Sequence, residues 1–200
     1  LLRELASSAL YKDVLEFQQV RNSSVLSGLL KALALQVGSE SSGAELAGLL
    51  GIDKKTVERY IDLLEKSFVL FRLPPFAGNK RREFSKRKKV YFYDLGIRNA
   101  LINNFNGLDS RGDLGALWEN FLAVERWKYL EYRRLRCGRY FWRTYDGSEV
   151  DWVEEAGGRL SGYEFKWKTG TRCRVPPKWL EYPGSSLALV DPSRLEGFIL

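Results

Sequence analysis

The stretch from Ala44 to Leu64 constrains the fold more than any other part of this chain. Apolar residues recur at helical spacing on both sides of Gly51, and Asp53 stands where an N-cap belongs, directly before Lys54. The segment therefore reads as a short helix over residues 43–50 closed by Gly51, then a helix over residues 54–67 with Val57, Ile61 and Leu64 on its buried stripe. This is a helix-turn-helix, and its second helix presents Lys54, Lys55, Thr56, Glu58 and Arg59. Upstream, Ser23 and Ser24 cap a helix running to about Val37, with Val25, Leu26, Leu29, Leu30, Leu33 and Leu35 as its core stripe. Residues 1–20 carry spaced apolar positions (Leu10, Val14, Phe17) and read as a connector helix.

After the third helix, residues 68–73 read as a strand stopped by Pro74 and Pro75, and residues 89–94 as its returning partner. Between them, Lys80 to Lys89 holds seven basic residues and one acid. On charge alone such a run is a solvated loop. Its position is that of the wing in a winged helix, beside a basic third helix, and this favours DNA contact. The candidate DNA-binding residues are Lys54, Lys55, Thr56, Arg59, Lys80, Arg81, Arg82, Lys86, Arg87, Lys88 and Lys89. The overall charge of +7 is a weaker pointer to nucleic acid than this clustering. The competing reading is a helical module whose third helix faces protein.

An Asn-, Gly- and Asp-rich loop ending near Asp113 marks the internal boundary. The expected organisation is a winged helix-turn-helix over residues 21–95 and a second domain over residues 96–200. The latter offers a helix at 114–132, strands at 140–144, 149–154 and 160–166 with turns between them, a short helix near 177–182 and a strand at 186–190. The fold class is α/β (α+β).

The chemistry lies in this second half. Glu119 sits on the helix, Asp151 in mid-strand, and Glu164 and Lys166 two apart on the next strand, so that they project together. Pairing of the two strands would converge two acids and a lysine on one patch. Hydrolysis of a phosphodiester with a metal needs acids to fix the cation and a cationic group for developing charge. Asp151, Glu164 and the Phe165 carbonyl are the candidate metal ligands, Lys166 the group that orients water or stabilises phosphorus, and Glu119 the completing acid. Histidine is absent and there are two cysteines, so histidine bases and all-cysteine zinc sites are excluded. The metal expected is Mg2+ or Mn2+. The bland alternative for Glu164 and Lys166 is a solvated ion pair worth ~0–1 kcal/mol. Against it, both acids are embedded between Val, Trp, Tyr and Phe neighbours, and buried acids demand partners or a metal.

The ordered set (helix-turn-helix, residues 89–97, residues 115–122, Glu149-Val-Asp151 and Tyr163-Glu-Phe-Lys166) resembles the C-terminal half of a large prokaryotic ATPase family. In that family an AAA-type P-loop domain precedes a winged helix and a domain of unknown function, DUF4143, related to the PD-(D/E)XK nucleases. The resemblance covers nearly the whole chain. It implies a restriction-endonuclease-like second domain, with Asp151, Glu164 and Lys166 matching the nuclease core and Glu119 the helix acid. It also implies an ATPase upstream of Leu1; these 200 residues hold no P-loop motif and no ATP site. The lack of any Met agrees with a fragment of something longer. Trp167 departs from the small or polar residue usual after the lysine, and could stack on a base or pack.

Three functions follow, ranked in this order: targeting or sensing of DNA for the ATPase, Mg-dependent DNA cleavage, and a protein-interaction surface of an ATPase homo-oligomer. No apolar run reaches the ~18 to 20 residues of a membrane span and no secretory signal is present, so the expected setting is the cytoplasm, with DNA and the ATPase domain as partners.

Overall fold

The computed structural model describes residues 22–77 and 87–200. The connector helix expected at 1–20 lies outside these residues, as do Lys80, Arg81, Arg82 and Lys86. The chain is a mixed α+β protein that divides into two units, residues 1–72 with 88–112, and residues 73–87 with 113–200.

The first unit runs α1 (Ser23–Leu35), β1 (Glu40–Ser41), α2 (Gly43–Leu50), α3 (Lys54–Lys66), β2 (Leu70–Leu73), β3 (Lys88–Phe92) and α4 (Leu95–Leu101). Its helices start on side-chain caps. Asn22, rather than either serine, caps α1, its Oδ1 accepting from the Val25 N–H at 3.3 Å and the Ser24 hydroxyl at 2.7 Å. Ser42 caps α2 and Asp53 caps α3. Gly51 closes α2 in the left-handed conformation, φ 64°, where a side chain would be strained. Leu26, Leu29, Leu30 and Leu33 are buried as expected, but Leu35 is exposed. Leu33 and Leu35 are two apart, which on a helix places them on opposite sides.

The three strands order β1-β3-β2, with β3 central. β1 pairs antiparallel with β3, Glu40 opposite Lys89 and Ser41 opposite Lys88. α4 belongs to this unit, not to the second domain expected from residue 96 onward. Its Arg98 is buried, and Nε donates to the Ala34 carbonyl at 2.9 Å, capping the C-terminal end of α1. Arg111 then ties the following loop back through Asn99 and the Asn104 carbonyl.

The second unit runs α5 (Leu114–Tyr132), β4 (Gly138–Arg143), β5 (Glu149–Ala156), β6 (Arg159–Phe165), β7 (Ser186–Val190) and α6 (Leu195–Ile199). The sheet orders β4-β5-β6-β7, antiparallel except for the parallel β6/β7 pair. One face packs Trp142, Val150, Val153 and Leu160 around Trp179, which comes from a short 3-10 turn at Pro177–Trp179. Gly162 is needed there, because a Cβ would stand 2.7 Å from the Trp179 ring. On the other face, α5 and α6 are joined to the sheet through Arg126. Its Nε and Nη2 donate to both oxygens of Glu154 on β5 (2.7 and 3.0 Å), Nη2 also to Tyr163 Oη (3.2 Å), and Nη1 to the Phe198 carbonyl (2.6 Å). The Phe198 ring covers Tyr163 and Phe165.

Candidate functional site

A single irregularity of β5 shapes the carboxylate site. Tyr140 of β4 faces Val153 and Trp142 faces Val150, so Phe141 alone stands opposite two residues, Asp151 and Trp152. This bulge lets Val150 and Val153 share the apolar face and re-aims Asp151. The β5/β6 ladder ends at Trp152–Tyr163. Beyond it, the Phe165 N–H is met not by backbone but by the carboxylate, Asp151 Oδ2 accepting at 2.8 Å. Asp151 is buried and so bridges the point where the two strands separate.

Glu164 and Lys166 flank Phe165 in the chain, and Lys166 Nζ stands 3.1 Å from Glu164 Oε1. The pair is half-buried, and the Lys166 backbone is fixed by its N–H donating to the Val190 carbonyl at 3.0 Å. Burial alone would pull the Lys166 ammonium down in pKa. The hydrogen bond and charge of Glu164 outweigh this, joined by the charges of Asp151 and Glu119, and the net shift is upward. Lys166 is therefore a fixed cation near neutral pH and no proton acceptor. Lys166 thus feels the charges of all three sequence-predicted acids, Glu119 acting from the first turns of α5. Cys173 adds a thiol, its Sγ 3.9 Å from Glu164 Oε2. Burial and the Glu164 charge push that thiol up in pKa. Trp167 packs edge-on to Trp118 at 5.4 Å and stays partly exposed.

The donor set is two carboxylates, each already engaged. Among the described residues no group of three or more His, Cys, Asp and Glu side chains is placed to hold a metal ion. Phe165 enters the site through its N–H, which donates to Asp151. What the set does suit is the sparse mode in which Mg2+ binds by one or two carboxylates together with substrate phosphates.

In the first unit, Lys54, Lys55 and Arg59 are exposed along α3 and Lys88 is half-buried at the start of β3, while Arg87, which belongs to the second unit, is exposed. Two sequence candidates differ. The Thr56 hydroxyl donates to Asp53 Oδ2 at 2.6 Å, so it completes the helix cap. Lys89 is 3 % exposed and lies inside the sheet opposite Glu40, not on an accessible basic surface. From Lys89 to Phe92 every residue of β3 is buried, so both faces of this central strand are covered and Lys89 is enclosed with them. Missing from the sequence expectations is Arg72 on β2, which gathers Glu58 (2.7 Å), Asp62 (2.5 Å) and Glu65 (2.5 Å) from α3. Desolvation opposes its charge, yet Glu65 and Glu58 hold its pKa above the usual arginine value. The acids recur at helical spacing on α3, but nothing in β2's sequence marks Arg72 as their partner.

Fold and site together define a two-unit α+β protein whose second unit carries a carboxylate–lysine cluster. The chain belongs to the family described as Domain of unknown function (DUF8612), which it matches over residues 1–108. Residues 114–178 match a second family, Domain of unknown function (DUF4143), in keeping with the resemblance noted for this half. The uncharacterized protein Rv2008c of Mycobacterium tuberculosis is 34% identical over 136 residues, 67% of this chain and 30% of that protein. The uncharacterized protein Mb2031c of Mycobacterium bovis gives the same values. The uncharacterized protein MJ1637 of Methanocaldococcus jannaschii is 30% identical over 116 residues, 57% of this chain and 24% of that protein. The chain thus spans less than a third of the length of these relatives. No solved structure matches it. Among the described residues no helix is long and apolar enough to cross a membrane.

Proposed function

We propose that this chain is the DNA-targeting part of a larger cytoplasmic P-loop ATPase, its first unit a winged helix and its second a nuclease-like domain. The observation that carries the reading is the topology of the first unit. A short strand enters between α1 and α2, and β3 lies between β1 and β2; in the sequence the basic run falls between β2 and β3, the order in which a wing occurs. Exposed Lys54, Lys55 and Arg59 supply phosphate contacts from α3, which position a protein on duplex DNA without reading its sequence. The Arg72 cage neutralises part of the acidic stripe that shares this helix. The relatives extend far beyond the matched region, leaving room for an ATPase domain. Fluorescence anisotropy on a short labelled duplex tests this. Lys54→Gln/Lys55→Gln/Arg59→Gln should weaken binding and flatten its log–log salt dependence by about 0.9 for each phosphate left without its cation. Salt-insensitive binding, or a triple variant that binds like wild type, refutes it.

A second reading, Mg-dependent phosphodiester hydrolysis, is favoured by the convergence of Glu119, Asp151, Glu164 and Lys166 where β5 and β6 separate. Asp151 and Glu164 would hold the ion and Glu119 its surroundings. When bound, Mg2+ or Mn2+ polarises a phosphoryl oxygen and supplies hydroxide from its water. Lys166, held protonated, would neutralise charge on the phosphorane. Calorimetric titration with Mg2+ and Mn2+ and a DNA cleavage assay decide the matter. Cleavage undiminished in Asp151→Ala would sink this reading.

A further inference from the structure

The C-terminal end of α5 carries a second basic surface, absent from the sequence expectations. Tyr132, Arg133, Arg134, Leu135 and Arg136 are consecutive and all exposed, Tyr132 by 83% and Leu135 by 50%. Nearby Arg139 is neutralised by Glu131 at 2.7 Å, and Arg133 leans on Tyr129 while donating to the Leu200 carbonyl. The side chains of Arg134 and Arg136 have no ion-pair or hydrogen-bond partner among the described residues. The helix dipole favours cations in a last turn, but Arg136 lies beyond the helix. Arg134 also holds φ at 54°, a left-handed conformation that glycine would adopt with less strain. Two exposed guanidinia within four residues of an exposed tyrosine are the elements that grip a phosphodiester backbone and stack on a base.

We propose that this surface binds nucleic acid phosphates and gives the second unit a contact of its own with the strand. The 19 residues of α5 span roughly 28 Å at the helical rise. Glu119 stands near the helix's beginning and the arginines just past its end, so the two lie within one helix length of each other. The inference rests on the reading of the chain as a DNA-targeting protein, and adds a second footprint to it.

The test compares wild type, Arg134→Gln/Arg136→Gln and Lys55→Gln/Arg59→Gln in the full chain, by anisotropy on labelled duplex and single-stranded DNA across a salt series. Circular dichroism checks that each is folded, and all four positions are exposed. Leaving two duplex phosphates without their cations should weaken binding about tenfold near physiological salt and flatten the salt slope by about 1.8. Binding weakened by both variants supports the second surface and the helix-turn-helix reading together. Weakening by the α5-end variant alone supports the surface while removing the helix-turn-helix from the DNA footprint. Weakening by the α3 variant alone overturns the inference and leaves the broader reading standing. No binding by wild type overturns both, and capture of acidic peptide instead of DNA overturns the nucleic-acid assignment.

Discussion

Arg126 is the side chain whose removal should cost the second unit most. Its guanidinium and the Glu154 carboxylate are each only 11% exposed, joined at 2.7 Å through Nε with a second bond at 3.0 Å. Arg126→Leu would leave Glu154 buried, with the Trp152 indole N–H at 2.9 Å still donating to it. It would also strip the Phe198 carbonyl of its donor and three rings, Tyr129, Tyr163 and Phe198, of a cation at 4.7–5.1 Å. Breaking a buried pair from one side costs about 3–5 kcal/mol. Replacing both partners by apolar residues costs far less, because no charge is stranded. Arg126→Leu/Glu154→Leu should therefore recover about 2–3 kcal/mol relative to the sum of the single variants. All six tryptophans lie in the second unit, so urea unfolding followed by tryptophan fluorescence reads this unit alone. A single-variant cost below about 1 kcal/mol, or strict additivity, would refute the reasoning, since either outcome is what a solvent-screened pair gives.

The site yields two further expectations. Asp151→Ala removes the buried acceptor of the Phe165 N–H and should destabilise the second unit by about 1–3 kcal/mol, whereas Asp151→Asn keeps an acceptor oxygen and should cost less; equal effects in the same urea assay would show that the bridge between β5 and β6 carries no energy. Burial and then the Glu164 charge both raise the Cys173 thiol, so its thiolate is scarcer near neutral pH than that of an ordinary cysteine. Removing one raising influence lowers the pKa, so Glu164→Gln should speed iodoacetamide alkylation of Cys173 at mildly alkaline pH and leave Cys137, raised by its own burial and by Glu154, unchanged; peptide mapping reads both, and a Cys173 rate unmoved by the substitution contradicts the Sγ–Oε2 approach.

The amino-acid sequence by itself determined what is local. Helices begin at polar caps and end at Gly51 because a terminus needs its orphan N–H and C=O groups met within a few residues. Strands β4 to β7 fall where aromatic and branched runs are punctuated by turn residues, and alternation placed Glu164 and Lys166 together. Where neighbours compete for one local role, as Asn22 and Ser23 do at the start of α1, the sequence leaves the choice to geometry. Only the tertiary structure decided the rest. The bulge that turns Asp151 toward β6 follows from how β4 and β5 register, and no periodicity in either strand announces it. Lys89 is withdrawn into the sheet and Arg72 gathers the acids of α3 because β2 and β3 meet other elements there. Arg98 reaches Ala34 across 64 residues, Arg126 reaches Glu154 across 28 and Phe198 across 72. Such pairings depend on which surfaces the whole chain brings together. An ionic side chain looks the same in sequence whether it will be solvated, caged or aimed at a ligand; burial and the partners brought by distant segments make the difference.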